Sequence, residues 1–251
     1  MAQNGVRKIF SVWKRLSNFN WKSMLRALLV CFAAHLLFPC GPLSAGTIVG
    51  HVRAESRPEV KEDIDAGKYE SRKYKFIERI EYDQLKDFVV YIDQPGLGSN
   101  LPPQPPVTVI IQKDGTFKPH ILPVLAGTTV EWPNHDEIYH NVFSMSEPKP
   151  FDLGIYKSKE IKRVTFDRPG RVDVFCSIHT KMNCVVLVLE NPFFAATDNI
   201  GTFRINNVPA GTYPLRAWHE RLPGQTKNVT VTDQGETVVE FVLTVTGLPK
   251  Y

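Results

Sequence analysis

Four side chains able to ligate a soft metal fall within 43 residues of the chain: His140, Cys176, His179 and Met182. A thiolate, two imidazoles and a weak thioether make up the donor set of a blue-copper electron-transfer site. Soft sulfur favours the cuprous ion and imidazole nitrogen suits the cupric one. A single trigonal geometry that accepts both needs little rearrangement when an electron arrives. The last three donors are spaced Cys-x2-His-x2-Met, with Cys176 closing one apolar stretch and the next opening near Asn183. One imidazole would then come from a distant loop and three donors from one loop between paired strands. One type 1 copper ion is the expected cofactor. Two other uses of these residues stay open: a Cys176–Cys184 disulfide, the common fate of paired cysteines in exported chains, and a disused metal site on the same scaffold. Cys184 shares strand parity with Val186 and Val188, which favours a buried, inert thiol.

Other chemistries lack their residues. The sequence has no Cys-x-x-Cys-His for haem attachment, no His-x-His pair for oxygen-reducing copper, no Gly-x-Ser-x-Gly and no phosphate-cradling glycine loop. A binuclear copper centre needs two cysteines inside the ligand loop, whereas Cys184 follows Met182. The chain therefore reads as a one-electron carrier and not an enzyme. Copper delivery or sequestration by the same ligands is one alternative, and a structural or glycan-binding sandwich is another. His51, His120, His135 and His219 are not assigned as ligands. His120 and His135 are placed at the rim of the site, and His219, in Ala217-Trp218-His219-Glu220, as a half-buried packing residue.

The elements that must position the four donors are strands. Period-two alternation or continuous apolar runs mark 46–52, 88–93, 107–112, 128–132, 163–166, 171–176, 184–189, 202–205, 212–218, 227–232 and 237–244. Asp114-Gly115, Arg168-Pro169-Gly170 and Val208-Pro209-Ala210-Gly211 supply turns. The run 184–189 is apolar at every position and has to be buried on both faces. Short strands at this spacing predict an all-β chain of sandwiches. Pro102-Pro-Gln-Pro-Pro106 reads as a stiff linker, and 53–86 as a charged, exposed excursion.

Composition agrees. Of 251 residues, 43% are hydrophobic and 22% charged, with 19 Pro against 16 Gly, which suits a turn-rich globular chain. The net charge of +4 belongs to the first 45 residues. They hold six of the 30 Lys+Arg and no acid, leaving 24 bases against 26 acids. Nothing in that balance calls for nucleic acid. Basic residues precede the 12-residue apolar run 27–38 and small residues end at Ala45. Since a bilayer core takes about 20 residues, 1–45 is expected to be a cleaved signal peptide, leaving a monomeric periplasmic protein with no stable membrane insertion.

Tyr139-His140-Asn141-Val142 and Cys176-Ser177-Ile178-His179-Thr180-Lys181-Met182 resemble the two ligand loops of the cupredoxins, the second loop being most similar to the amicyanin type. Phe117-x-Pro119, Val130-x-Trp132-x-Asn134 and Phe166-x-x-Pro169-Gly170 extend the likeness over about 85 residues. The resemblance implies a Greek-key sandwich over 102–190, with copper on His140, Cys176, His179 and Met182. It also implies that Asn141 ties the two loops near Ser177, and that His179 is the partly exposed ligand through which electrons leave. Ile178 and Thr180 stand where the amicyanin type has prolines. The flanking segments 46–101 and 191–251 resemble a carboxypeptidase regulatory-like domain, a small transthyretin-like sandwich into which the first would be inserted. The whole chain resembles bacterial periplasmic proteins called methylamine-utilisation-like or plastocyanin-like. The partner, an unidentified redox protein, would dock around His179. Met145, Ile178 and Pro133 would supply apolar surface there, and Lys157, Lys159, Lys162, Lys181 and Arg163 steering charge.

Overall fold

A computed structural model describes residues 45–55, 81–98, 107–158 and 160–244. The export leader, the Pro-rich linker, most of the charged excursion and Lys159 lie outside the described residues. The described part is all-β and belongs to one compact unit. Besides strands it has a short 3-10 turn at Tyr82–Gln84. No helix among the described residues is long and apolar enough to cross a membrane.

Among the described residues there are seventeen strands, most of which alternate in burial as a pleat requires. They are β1 (Ala45–Glu55), β2 (Val89–Ile92), β3 (Val107–Val109), β4 (Ile111–Lys113), β5 (Thr116–Lys118), β6 (Ile121–Leu125), β7 (Thr128–Pro133), β8 (His140–Ser144), β9 (Phe151–Tyr156), β10 (Ile161–Phe166), β11 (Gly170–Phe175), β12 (Asn183–Leu189), β13 (Phe194–Ala196), β14 (Thr202–Pro209), β15 (Gly211–His219), β16 (Leu222–Val231) and β17 (Glu236–Thr244). The sheets β10-β7-β3 and β6-β12-β11-β8-β9, with the β4–β5 hairpin, enclose a core built on Ile110, Phe117, Trp132, Phe166, Val172 and Val186. The sheets β14-β1-β17 and β13-β2-β15-β16 enclose a second core, built on Ile48, Phe88, Phe203, Leu215 and Phe241. Strands from both ends of the chain thus share the second core: β1 pairs with β14 and β17, and β2 with β13 and β15.

β12 explains why 184–189 is apolar at every position. Cys184, Val186 and Val188 point into the first core. Val185, Leu187 and Leu189 point the other way, with Ile121 of β6, onto Val89, Tyr91, Phe194 and Trp218 of the second sandwich. Each fully buried Val or Leu side chain contributes about 1.5–3 kcal/mol, so one strand helps hold both sandwiches and the seam between them.

The structure departs from the expected strands in two ways. The run 107–112 is split: β3 pairs with β7, while β4 turns into the β4–β5 hairpin, with buried Ile110 at the switch between sheets. β5, β6, β8, β9 and β13 are not among the expected strands: Pro123 interrupts β6, His140 opens β8, and β5 and β13 are three residues each. Pro123 is accommodated in β6, which pairs in parallel with β12.

β1 runs between an antiparallel and a parallel neighbour so closely that a Cβ at Gly50 would stand 1.7 Å from the Val239 carbonyl oxygen. Gly50→Ala must push β1 and β17 apart. The expected cost is about 1–3 kcal/mol, read as a fall of several degrees in the thermal midpoint; an unchanged midpoint contradicts the packing described.

Candidate metal centre

The ladder between β11 and β12 fixes the second ligand loop. Phe175 pairs with Asn183, so residues 176–182 must leave one strand and re-enter the other within a single rung. The Cys176 N–H donates to the Met182 carbonyl at 3.1 Å, and the Met182 N–H to the His179 carbonyl at 2.9 Å. Cys176 and Met182 are both buried in the first core, and both Cys176 and Cys184 are free thiols. The disulfide alternative is therefore not realised. Burial, with Asp173 and Glu220 adding to it, pushes the Cys184 thiol well up, which keeps it protonated and inert.

His140 begins β8, whose neighbour β11 ends at Phe175, directly before Cys176. Its ring is fully buried, and Nε2 lies 2.8 Å from Asp136 Oδ2. A carboxylate only accepts, so Nε2 carries the proton and Nδ1 is left with its lone pair facing the loop. That Nδ1 is 3.1 Å from His179 Nδ1, which is in turn 3.8 Å from Cys176 Sγ. One donor atom from each of His140, Cys176 and His179 falls within 4.8 Å of the others. Two imidazole lone pairs at that separation repel unless a proton or cation lies between them, and nitrogen donors about 2 Å from one first-row ion are spaced comparably. The residues would suit a single soft metal ion.

The structure brings His140, Cys176 and His179 together and places Met182 buried in the same loop. Asn141 Oδ1 accepts the Ser177 N–H at 3.2 Å, while its Nδ2 donates to Asp152 at 2.8 Å. One amide thereby joins β8, β9 and the ligand loop. The first ligand loop is braced from below by buried Asn134, whose Nδ2 donates to the carbonyls of Ile138 and Tyr156. Tyr156 pairs with His140 across β8–β9. Its hydroxyl donates to the Trp132 carbonyl and accepts from Gln112, and burial raises its pKa.

Asp136 is the contributor the sequence did not reveal. It partners His140 and also accepts the Asp114 and Gly115 amides of the β4–β5 hairpin at 2.8 and 3.0 Å. Burial alone would raise its carboxyl, but the Gly115 amide, the His140 ring and the Asp114 amide together hold it below its ordinary range. An acid four residues before a ligand was the available signal. That the β4–β5 hairpin closes on it depends on tertiary placement.

The surface around the site differs from expectation in one respect. Met145 is very exposed but follows Ser144, at the end of β8 away from His140. Five residues of strand separate the two, about 17 Å, so Met145 does not border the site. The exposed large apolar side chains within two residues of a candidate ligand are Ile138, Tyr139, Phe175 and Ile178. Lys157 lies over the Tyr139 ring, while Arg163 is paired with Glu131 and Lys162 with Glu160.

The fold that carries these residues is an all-β sandwich. Among solved structures the chain is similar to a Cu-containing nitrite reductase from Thermus scotoductus SA-01 (29% identity, TM-score 0.33, 36% of this chain and 24% of that one). It is also similar to a purple cupredoxin from Nitrosopumilus maritimus (26%, 0.30, 32% and 98%), and to a mutant of amicyanin in its Cu(I) form (21%, 0.32, 40% and 98%). The chain thus spans about a quarter of the nitrite reductase's length. Residues 189–239 match the family model of polysaccharide lyase family 4, domain II, a label different from the carboxypeptidase regulatory-like one expected there. No curated protein matches the chain.

Asp136→Ala strands three donors and is expected to lower the stability of the metal-free protein by about 1–3 kcal/mol at neutral pH. A carboxyl held low in the folded state contributes above its unfolded pKa, and the contribution is lost as pH falls through the folded value. Urea unfolding of wild type and variant should therefore converge in strong acid. A gap that widens on acidification contradicts the assignment.

Proposed function

We propose that this chain is a one-electron carrier holding a single type 1 copper ion on His140, Cys176, His179 and Met182, and that it is not an enzyme. The observation that carries the reading is the convergence of two imidazole nitrogens and a buried free thiol at the end of one β-ladder. Copper bound there supplies exchange of a single electron between its cuprous and cupric forms. The protein's own groups do the rest. Asp136 holds His140 in one tautomer, so that Nδ1 alone faces the site. Asn141 keeps the ligand loop at a fixed distance from β8. The core around Met182 and Cys176 keeps water from the thiol. His179, half-buried at the rim among Ile138, Tyr139 and Ile178, gives the short route to a docked redox partner.

The remainder of the reading is that 1–45 exports the chain to the periplasm, and that the mature protein is monomeric and binds no nucleic acid. Segments 46–101 and 191–251 are taken as a discontinuous, carboxypeptidase regulatory-like sandwich around the copper module at 102–190. The pairing of β1 and β2 with strands β13 to β17 supports that division.

Purified protein titrated with Cu(II) should turn intensely blue with one equivalent and bleach reversibly on one-electron reduction, and Cys176→Ser should abolish the colour. A colourless wild-type protein sinks the proposal. If the blue protein exchanges electrons slowly with a cytochrome yet surrenders copper readily to an apo-acceptor, delivery is the function instead.

A further inference from the structure

A cluster of charged side chains outside the metal site links the β15–β16 hairpin of the second sandwich to the base of the ligand loop. Its keystone is His219, which is buried and tilted against Phe88 with ring centroids 5.0 Å apart. Its Nδ1 accepts the Arg221 N–H at 3.1 Å, so the proton resides on Nε2, and the ring also bonds the backbone at Lys86. Burial lowers the pKa of this histidine and keeps it neutral. Anchored in this way, the hairpin turns Glu220 toward the first sandwich.

Glu220 Oε1 lies 2.8 Å from His120 Nε2, and the other nitrogen of that ring, Nδ1, lies 3.2 Å from the Asn183 carbonyl oxygen. Both partners are acceptors, and a neutral imidazole has only one N–H, so both bonds require the imidazolium. The charges agree. Glu220 raises the His120 pKa against the opposing effect of burial, with Asp87 adding to it, and His120 holds the Glu220 carboxyl low. Arg171 of β11 donates to the Glu220 carbonyl at 3.0 Å, pairs with Asp173 and lies over the Trp218 ring. The ladder between β6 and β12 continues to the point where the His120 carbonyl takes the Val185 N–H. Beyond it, the ring reaches the Asn183 carbonyl.

Asn183 follows Met182 directly and pairs with Phe175, the residue before Cys176. The two strands that close the ligand loop are therefore held from the same hairpin of the neighbouring sandwich, one through Arg171 and one through His120.

We propose that Glu220, acting through the charged ring of His120 on the Asn183 carbonyl, is a positioning residue for the metal loop, fixing where Met182 sits relative to His140, Cys176 and His179. This rests on the copper reading above. The strand end Ala217-Trp218-His219 and the turn residue Glu220 then have a role: Trp218 and His219 fix the hairpin and Glu220 transmits its position. Without the imidazolium the start of β12 keeps its bonds to β11 but loses the side support that sets the peptide after Met182. The thioether, a weak ligand on a flexible chain, is the group most easily displaced.

The test uses the full chain loaded with copper, comparing wild type with the near-isosteric Glu220→Gln and with His120→Gln. Glu236→Gln serves as control, because its partner Arg204 lies in the second sandwich away from the seam. Both seam variants should lose copper to a chelator about tenfold faster or more and change the EPR hyperfine splitting, while the control keeps wild-type behaviour. A merely structural role would lower the melting temperature and leave the EPR spectrum of the folded protein unaltered. Unchanged spectrum and release rate in variants of a copper-binding wild type overturn the proposal. If wild type takes no copper, the copper reading fails, and metal-free NMR then decides the tie. The Cys184 amide resonance, whose peptide includes the Asn183 carbonyl, should move in Glu220→Gln. An unmoved resonance overturns the tie.

Discussion

The pairing of Phe175 with Asn183 is the constraint on which the site depends. Once β11 and β12 are locked in register, the seven residues between them have no freedom to spread, and Cys176 and Met182 are drawn into one backbone hydrogen bond. The donor atoms converge because a ladder closes beneath them. His140 enters from β8, a direct neighbour of β11 in the same sheet, so the distant imidazole is delivered by sheet order. A rigid donor set of this kind suits a metal whose two oxidation states must share one geometry.

Around that ladder the polar groups are arranged so that few have a choice. The Asp136 carboxylate decides which nitrogen of His140 bears the proton and ties it to a hairpin two strands away. Asn141 spends its oxygen on the ligand loop and its nitrogen on β9. Such outer partners restrict the orientation of ligands that are themselves only loosely directional. The exposed apolar residues Ile138, Tyr139, Phe175 and Ile178 lie within two residues of a candidate ligand in sequence, so the surface beside the site is built by the same segments that bring the donor atoms together.

Much of this was legible in the sequence, for identifiable reasons. The donors are recognisable because their types are rare and their order is fixed by strand ends, and β12 is recognisable because a run without polar residues cannot have a wet face. The alternating strands β1, β7, β11 and β17 showed the period of a half-buried pleat. What stayed hidden depends on tertiary placement. Asp136 looks like any loop acid until the β4–β5 hairpin folds over it. Met145 reads as neighbouring His140, because the sequence does not show that a strand carries the two apart. The split of 107–112 between sheets is invisible in a run whose residues would suit either pairing, and β6 hides behind Pro123. His219 and His120 differ little in one dimension, yet one is a neutral packing ring and the other a charged bridge, because only one of them faces two acceptors.

β12 belongs to two cores at once, and this bears on how the molecule comes apart. Opening either half uncovers one face of the same seven residues, so neither half can melt without weakening the other. Amide protons along this strand would then exchange with solvent only through a global event, while strand edges farther from the seam exchange through smaller openings. Denaturation would be felt across the whole folded unit in one concerted step.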